Sequence, residues 1–250
     1  MVCVINTWFG RLGNNILQLI RCIHFSIINN HNIIKFNNHD FLKETCIVLN
    51  NTINNIEVIE SSFFYLKEFD LKDPEPYIMK IYYKKYIKNI IKINIDNIEQ
   101  NNEDLYIHIR SGDTFVKPPP AAYVPPPLIY YTKLLEEYNK THIVYEDEKN
   151  PCVNELKKNN KIISYNLNLE DTIKELCKSE NLAIGFGTFG LLIYIINEKL
   201  KKIYMPKYVY DEMPKGNWDI EVILIDLPGY IKCGEWECSC EQIKMILNYK

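Results

Sequence analysis

Leu105-Tyr106-Ile107-His108-Ile109-Arg110-Ser111-Gly112-Asp113 is the stretch that decides how this chain folds. Its apolar run makes a short buried strand, and Ser-Gly-Asp breaks it. Polar side chains and a glycine therefore collect at the carboxyl end of a strand, where open α/β sheets hold their ligands. Arg110 is one of only three arginines, with Arg11 and Arg21, among 29 basic residues. A chain that otherwise uses lysine places a planar fork here, and that fork suits a phosphate better than a point charge does.

Outward from this stretch, short apolar runs alternate with longer amphipathic ones. The pattern predicts strands over 2–6, 33–36, 57–59, 105–109, 142–145, 162–165, 181–184 and 202–204. Helices are expected over 14–29, 77–97, 128–139, 153–159, 169–178 and 189–199. Such alternation makes an α/β fold with a parallel sheet covered on both faces. The polar segment 96–103 is the linker candidate. It divides a first lobe, 1–100, from a second, 101–225, with a tail over 226–250. In the tail, Ser239-Cys240-Glu241-Gln242 reads as a capping box opening a last helix, expected to pack back on the first lobe.

A chain of 250 residues, 47% hydrophobic and 24% charged, has enough apolar surface for a substantial core. Its net charge of −3, with lysines scattered, leaves no electrostatic footprint for nucleic acid. No apolar run approaches the ~18 residues that span a bilayer. Met1-Val2-Cys3-Val4-Ile5 lacks the basic region of a signal peptide, so a cytoplasmic location is expected. The eight cysteines contain no Cys-x-x-Cys pair. Cys233, Cys238 and Cys240 lack a fourth ligand at suitable spacing, so they read as reduced thiols. Asparagine pairs such as Asn29-Asn30, Asn50-Asn51 and Asn54-Asn55 read as surface filler.

Three loops carry chemistry. Gly10-Arg11-Leu12-Gly13-Asn14-Asn15 joins the first strand to the first helix. Its glycines permit close backbone approach, the helix start offers N–H groups to an anion, and Asn14 is the expected cap. The second loop holds Arg110, placed to neutralise charge on a leaving diphosphate. Asp113 is either a base or the residue that aims Arg110, and His108 is a contact to nucleotide or acceptor and the reserve base. The third loop, Gly185-Phe186-Gly187-Thr188-Phe189-Gly190, opens another helix with Thr188 as expected cap and phosphate donor. Pro118-Pro119-Pro120-Ala121-Ala122-Tyr123-Val124-Pro125-Pro126-Pro127 is stiff and poor in backbone donors. It follows the Arg110 loop directly and is expected to wall the site, or else to be a solvent-facing loop or a recognition sequence for a proline-binding partner.

Together these residues resemble the fucosyltransferase superfamily, which includes α-1,2-fucosyltransferases and protein O-fucosyltransferases. Gly10–Gln18 looks like its Gly-x-x-Gly-Asn-Gln loop and helix, with Asn15 where glutamine is usual. His108-Ile109-Arg110-Ser111-Gly112-Asp113 looks like its His-x-Arg-x-Gly-Asp motif, whose arginine holds the diphosphate of GDP-fucose. Gly185–Gly190 is similar to its Ser/Thr-Phe donor-site motif, though richer in glycine. Tyr145-Glu146-Asp147 falls where the family keeps an acidic pair against the nucleoside. Lys202-Ile203-Tyr204-Met205-Pro206 is similar to the strand and proline that follow.

The resemblance implies a GT-B-like arrangement of two Rossmann-like lobes with a cleft between them, an inverting mechanism and no metal or other cofactor. It implies catalytic roles for Arg110, Asp113 and His108. The donor set it implies is Gly10, Arg11, Gly13, Asn14, His108, Arg110, Ser111, Gly112, Glu146, Asp147, Gly187, Thr188 and Phe189. Tyr123 and Trp8 are the aromatic candidates for a glycan acceptor. The expected reaction is transfer of L-fucose from GDP-fucose to a glycan hydroxyl. The alternatives are another nucleotide sugar on the same fold, or a scaffold that binds glycan or nucleotide without turnover.

Overall fold

The computed structural model describes residues 1–50, 57–96 and 98–250. Asn51, Asn54 and Asn55 lie outside them. So does Asn97, which falls within both the expected linker 96–103 and the expected helix 77–97. The chain divides into two units, one formed by 1–94, 194–196 and 214–219, the other by 95–193, 197–213 and 220–250.

The first unit begins with strand β1 (Val2–Ile5) and helix α1 (Leu12–Ile28). In α1, Leu12, Ile16, Leu19, Ile20 and Ile23 recur at helical spacing and are buried. The helix ends in a reciprocal pair of backbone bonds, His31 N–H to Ser26 O at 2.7 Å and Asn30 N–H to Ile27 O at 3.4 Å. Asn30 sits at φ +55 between them. Asn30 is thus a helix terminator rather than filler, because asparagine tolerates the left-handed conformation this cap requires. Strands β2 (Ile33–Phe36), β3 (Cys46–Val48) and β4 (Val58–Ser61) complete a sheet of order β3-β2-β1-β4. β1 pairs in parallel with β2 and β4, whereas β3 adds as an antiparallel edge. Helix α2 (Pro76–Tyr82) starts on a proline and runs into a π-turn, Tyr83–Ile87, so the regular α-helix is shorter than expected.

The second unit holds six strands: β5 (Asn101–Ile109), β6 (Thr141–Tyr145), β7 (Ile162–Asn166), β8 (Ser179–Ala183), β9 (Lys202–Pro206) and β10 (Glu221–Ile225). All pair in parallel, in the order β10-β9-β8-β5-β6-β7. The chain builds outward from β5 through β6 to β7, then returns to β8 on the other side of β5. That is the doubly wound Rossmann order, and the winding reverses between β5 and β8. The connections carry α3 (Leu128–Glu137), α4 (Pro151–Leu156), α5 (Leu169–Leu176), α6 (Thr188–Ile196) and α7 (Lys207–Asp211). β6 is buried along its whole length, as expected for a central strand covered on both faces.

The last helix, α8 (Cys240–Asn248), opens with the expected capping box: Gln242 N–H donates to Ser239 Oγ and Ser239 N–H to Gln242 Oε1. α8 packs on α3 and α4 within the second unit. Trp236 and Ile246 of the tail, both essentially inaccessible, join Tyr130, Tyr131, Leu134 and Val153 in one core. Among the described residues, no helix is long and apolar enough to cross a membrane.

Candidate functional site

Arg110 leaves the end of β5 beside the point where the sheet reverses. Its guanidinium is bounded on three sides. Nη2 donates to both oxygens of Asp113 at 3.1 Å. The Tyr123 ring lies beneath it, with Cζ 4.1 Å from the ring centroid. Gly187 lies against Nη1, so closely that a Cβ there would come well inside 3.0 Å of that nitrogen. Nε is buried without a hydrogen-bond partner among the described residues.

The Arg110 loop is stapled to the loop after β6. The Ser111 hydroxyl bonds to Asp147 Oδ1 and accepts the Asn150 N–H at 3.0 Å. Asp147 Oδ1 also receives N–H bonds from Lys149 at 2.9 Å and Gly112 at 3.4 Å. Burial raises the Asp147 pKa, but the Ser111, Lys149 and Gly112 hydrogen bonds outweigh it and hold the carboxyl below its usual range. Gly112 is at φ +57, and a Cβ there would meet Glu146 Oε2 at 2.6 Å. The acidic pair therefore flanks the Arg110 loop, with Glu146 over Gly112 and Asp147 occupied in holding the turn.

Asn150 joins these loops. It is fully buried, donates from Nδ2 to the Arg110 carbonyl at 3.0 Å, and caps α4 by accepting the Cys152 N–H at 3.0 Å. The sequence reading missed it. Its signal is the pair Asn150-Pro151, a capping residue followed by proline in the first helical position.

The third loop crosses from β8 to α6. Gly187, at φ +108, occupies the N-cap position and Thr188 the first helical one, which corrects the expectation that Thr188 is the cap. Gly185-x-Gly187-x-x-Gly190 also has the spacing of a dinucleotide-binding loop, a signal the sequence reading passed over. Each glycine has a steric reason. A Cβ at Gly185 would press on Pro126 at 3.1 Å, Gly187 accommodates the guanidinium, and a Cβ at Gly190 would meet Ile184 at 2.8 Å, where helix packs on strand. Tyr130 Oη locks the strand end, sharing its one proton between the carbonyls of Ile184 and Tyr204, each 2.9 Å away.

His108 lies deep among protein atoms yet keeps an accessible edge, with its ring 4.7 Å from that of Phe189. Burial, helped by the Arg110 charge, pushes its pKa down to about 3. It is therefore a neutral hydrogen-bonding group at neutral pH, and a conjugate acid that strong makes a poor base.

The proline segment runs alongside. Its first half is mostly exposed and its second half buried, with its carbonyls claimed by the core. Ala121 O accepts from the N–H groups of Gly234 and Trp236, Val124 O from Tyr208 Oη, and Pro125 O from Tyr230 Oη. Burial of Pro125–Pro127 leaves little of that half for a proline-binding partner.

In the first unit, Gly10 is at φ +73 and a side chain there would overlap the Asn14 amide. Arg11, not Asn14, holds the N-cap position of α1, because the helix starts at Leu12 and Asn14 already lies in its first turn. Gly13 is buried in the same turn. The loop is held from below by Gln18, which accepts the Phe9 N–H at 2.8 Å and donates to Thr7 O at 2.9 Å and Ser62 O at 2.7 Å. Asn15 adds a bond to Phe9 O at 3.0 Å and one with His39 at 3.1 Å. Trp8 packs edge-on against Phe36 and His39 and donates to Asn37 O.

No family model matches the sequence, and no curated protein matches it. Among solved structures, the chain is similar to E. coli heptosyltransferase WaaC with ADP, at 10% identity over 98% of this chain and 96% of that chain, with a TM-score of 0.42.

Proposed function

We propose that this chain is a glycosyltransferase using a nucleoside-diphosphate sugar, with the diphosphate held in the second unit by Arg110, the backbone around Gly187 and the first turn of α6. The observation that carries this reading is the Arg110 guanidinium, held by Asp113 and the Tyr123 ring and set against a glycine-rich helix start at the reversal of a Rossmann-ordered sheet. In the proposed inverting step the acceptor hydroxyl attacks the anomeric carbon. The carbon–oxygen bond to phosphate breaks, its electron pair stays on the diphosphate, and the hydroxyl proton passes to solvent water. Arg110 and the amino end of α6 stabilise the charge that grows on the departing phosphate. Asp113, bound to Nη2 through both oxygens, aims the guanidinium, and neutral His108 contacts the donor. Glu146, Thr188 and Phe189 flank the nucleotide, while Ser111, Gly112 and Asp147 hold the turn that presents Arg110.

The His-x-Arg-x-Gly-Asp resemblance makes GDP-fucose the first donor to test. A second reading, another nucleotide sugar on the same site, draws support from the G-x-G-x-x-G loop. A thermal-shift panel of GDP, UDP, ADP and their sugars separates the two, since a ligand at 100 times its Kd adds about 2.7 kcal/mol. Transfer and donor hydrolysis then compare Arg110→Ala with the parent. We expect both rates to fall by roughly 10²–10³ with folding intact. Stabilisation by no nucleotide overturns the reading, and unchanged hydrolysis in Arg110→Ala overturns the role given to that residue.

A further inference from the structure

We propose that Tyr123 is a positioning residue, the platform on which the Arg110 guanidinium is pre-aligned for its anion. The proposal rests on the nucleotide-sugar reading for its catalytic consequence, but the alignment itself is measurable without it.

Arginine is long and rotamer-rich, and its charge stabilises a transition state only if it is already in place. Asp113 holds one end of the fork through Nη2, and Gly187 leaves room at Nη1. Neither fixes the plane of the guanidinium. The Tyr123 ring does so, at 4.1 Å from Cζ, because a cation over an aromatic face is attracted by the ring quadrupole and more strongly where water is excluded.

The platform is itself held. Tyr123 N–H bonds to Pro120 O at 2.9 Å, and its ring packs 5.1 Å from Phe186 of the glycine-rich loop. The residues on either side are tied to the core, Ala121 O by two N–H groups of the tail and Val124 O by Tyr208. Prolines cannot join a ladder, so the segment approaches Arg110 as a strap that side chains fasten from behind. Tyr123 thus carries the order of the C-terminal tail to the guanidinium.

With only three arginines, the chain has three side-chain Nε–Hε resonances. In protein labelled with ¹⁵N-arginine, loss of one peak in Arg110→Lys assigns it. We expect that peak to be shifted upfield by the Tyr123 ring current, to stay shifted in Tyr123→Phe, and to lose the shift and exchange faster with solvent in Tyr123→Leu. The Arg11 and Arg21 peaks report folding of the first unit, and circular dichroism that of the whole chain. A Tyr123→Leu spectrum with the Arg110 peak unmoved overturns the proposal, as does loss of the shift in Tyr123→Phe, which is the variant that decides if Tyr123→Leu unfolds.

With the donor that the parent turns over, Tyr123→Leu should lower kcat for acceptor-free hydrolysis roughly 10- to 100-fold with KM little changed, and Tyr123→Phe should restore it. An effect confined to the KM of the acceptor overturns the positioning role. If the Arg110 peak is aligned by Tyr123 but moves with no nucleotide, the alignment stands and the nucleotide reading fails.

Discussion

Gly187→Ala separates two demands that one position meets. The backbone there, φ +108 and ψ 167, lies in a region open essentially to glycine alone, so any other residue costs about 1–3 kcal/mol of stability. The added methyl also lands on Arg110 Nη1, and ordinary contact at 3.4 Å requires the guanidinium to retreat by roughly 1 Å. That retreat is cheap for folding, because Nη1 is the far end of a flexible side chain. It is expensive for binding, because it draws the fork off Asp113 and the Tyr123 ring. Loss of one hydrogen bond to a charged group, about 1.5–3 kcal/mol, weakens nucleotide affinity by roughly 10- to 100-fold. Urea unfolding measures the first effect, and calorimetric titration with GDP or ADP, whichever binds the parent, measures the second. In an Arg110→Ala background the stability loss should persist while the affinity loss largely disappears, since the displaced group is no longer there. A Gly187→Ala protein as stable as the parent and binding nucleotide equally well would refute the reasoning at both levels.

Gln18→Ala removes four hydrogen bonds beneath the first loop, three to backbone and one from Asn15 Nδ2, and should cost about 2–4 kcal/mol in urea unfolding, with faster exchange at the Phe9 amide. A loss under about 0.5 kcal/mol would mean the loop is held otherwise. His108 gives a pH dependence. Unfolded, it binds a proton near 6.5, but folded only near 3, so the unfolded chain takes up more protons between these values and stability falls as pH drops below about 6.5. His108→Gln should flatten the fall in urea midpoint between pH 7 and 4.5. His24, His31 and His39, whose pKa values burial also lowers, keep part of the slope. Equal slopes in parent and variant would place His108 in a wetter setting. Asp113→Asn tests the aiming role: kcat should fall with the donor KM little changed, and a kcat equal to the parent's would remove Asp113 from that role.

Much of the second unit is legible from local pattern. Apolar runs mark β5, β6, β8 and β9, because central strands of a parallel sheet are buried on both faces and say so in composition, and the edge strand β7 is legible from Ile162-Ile163-Ser164-Tyr165 despite its exposure. The same reasoning passes over β3 and β10. Both are edges with alternating or partial exposure, and Glu221–Ile225 lies beyond the last apolar run that was read as a strand. The expected helix 77–97 shortens to α2 and a π-turn, since periodicity does not register where a hydrogen-bond ladder changes step. The tail's capping box is legible in the sequence and its docking is not. Caps are local, whereas the cavity that receives Trp236 and Ile246 is built by α3 and α4, about a hundred residues earlier.

The sequence by itself determined the elements and three loops at strand-to-helix turns, because backbone preference and side-chain spacing act over a few residues. It also singled out Arg110, since an arginine in a lysine-rich chain is a choice of geometry over charge. Only the tertiary structure decided what those loops are to one another. Strand order brings Gly187 to Arg110 although they lie 77 positions apart in the sequence, a gap that the β5–β8 pairing closes. It likewise bonds Ser111 to Asp147 and Asn150, and slides Tyr123 beneath the guanidinium on a strap fastened by Tyr208, Tyr230 and Trp236. Such contacts depend on which strands become neighbours, and that is set by burial of the whole core rather than by any residue's own preference.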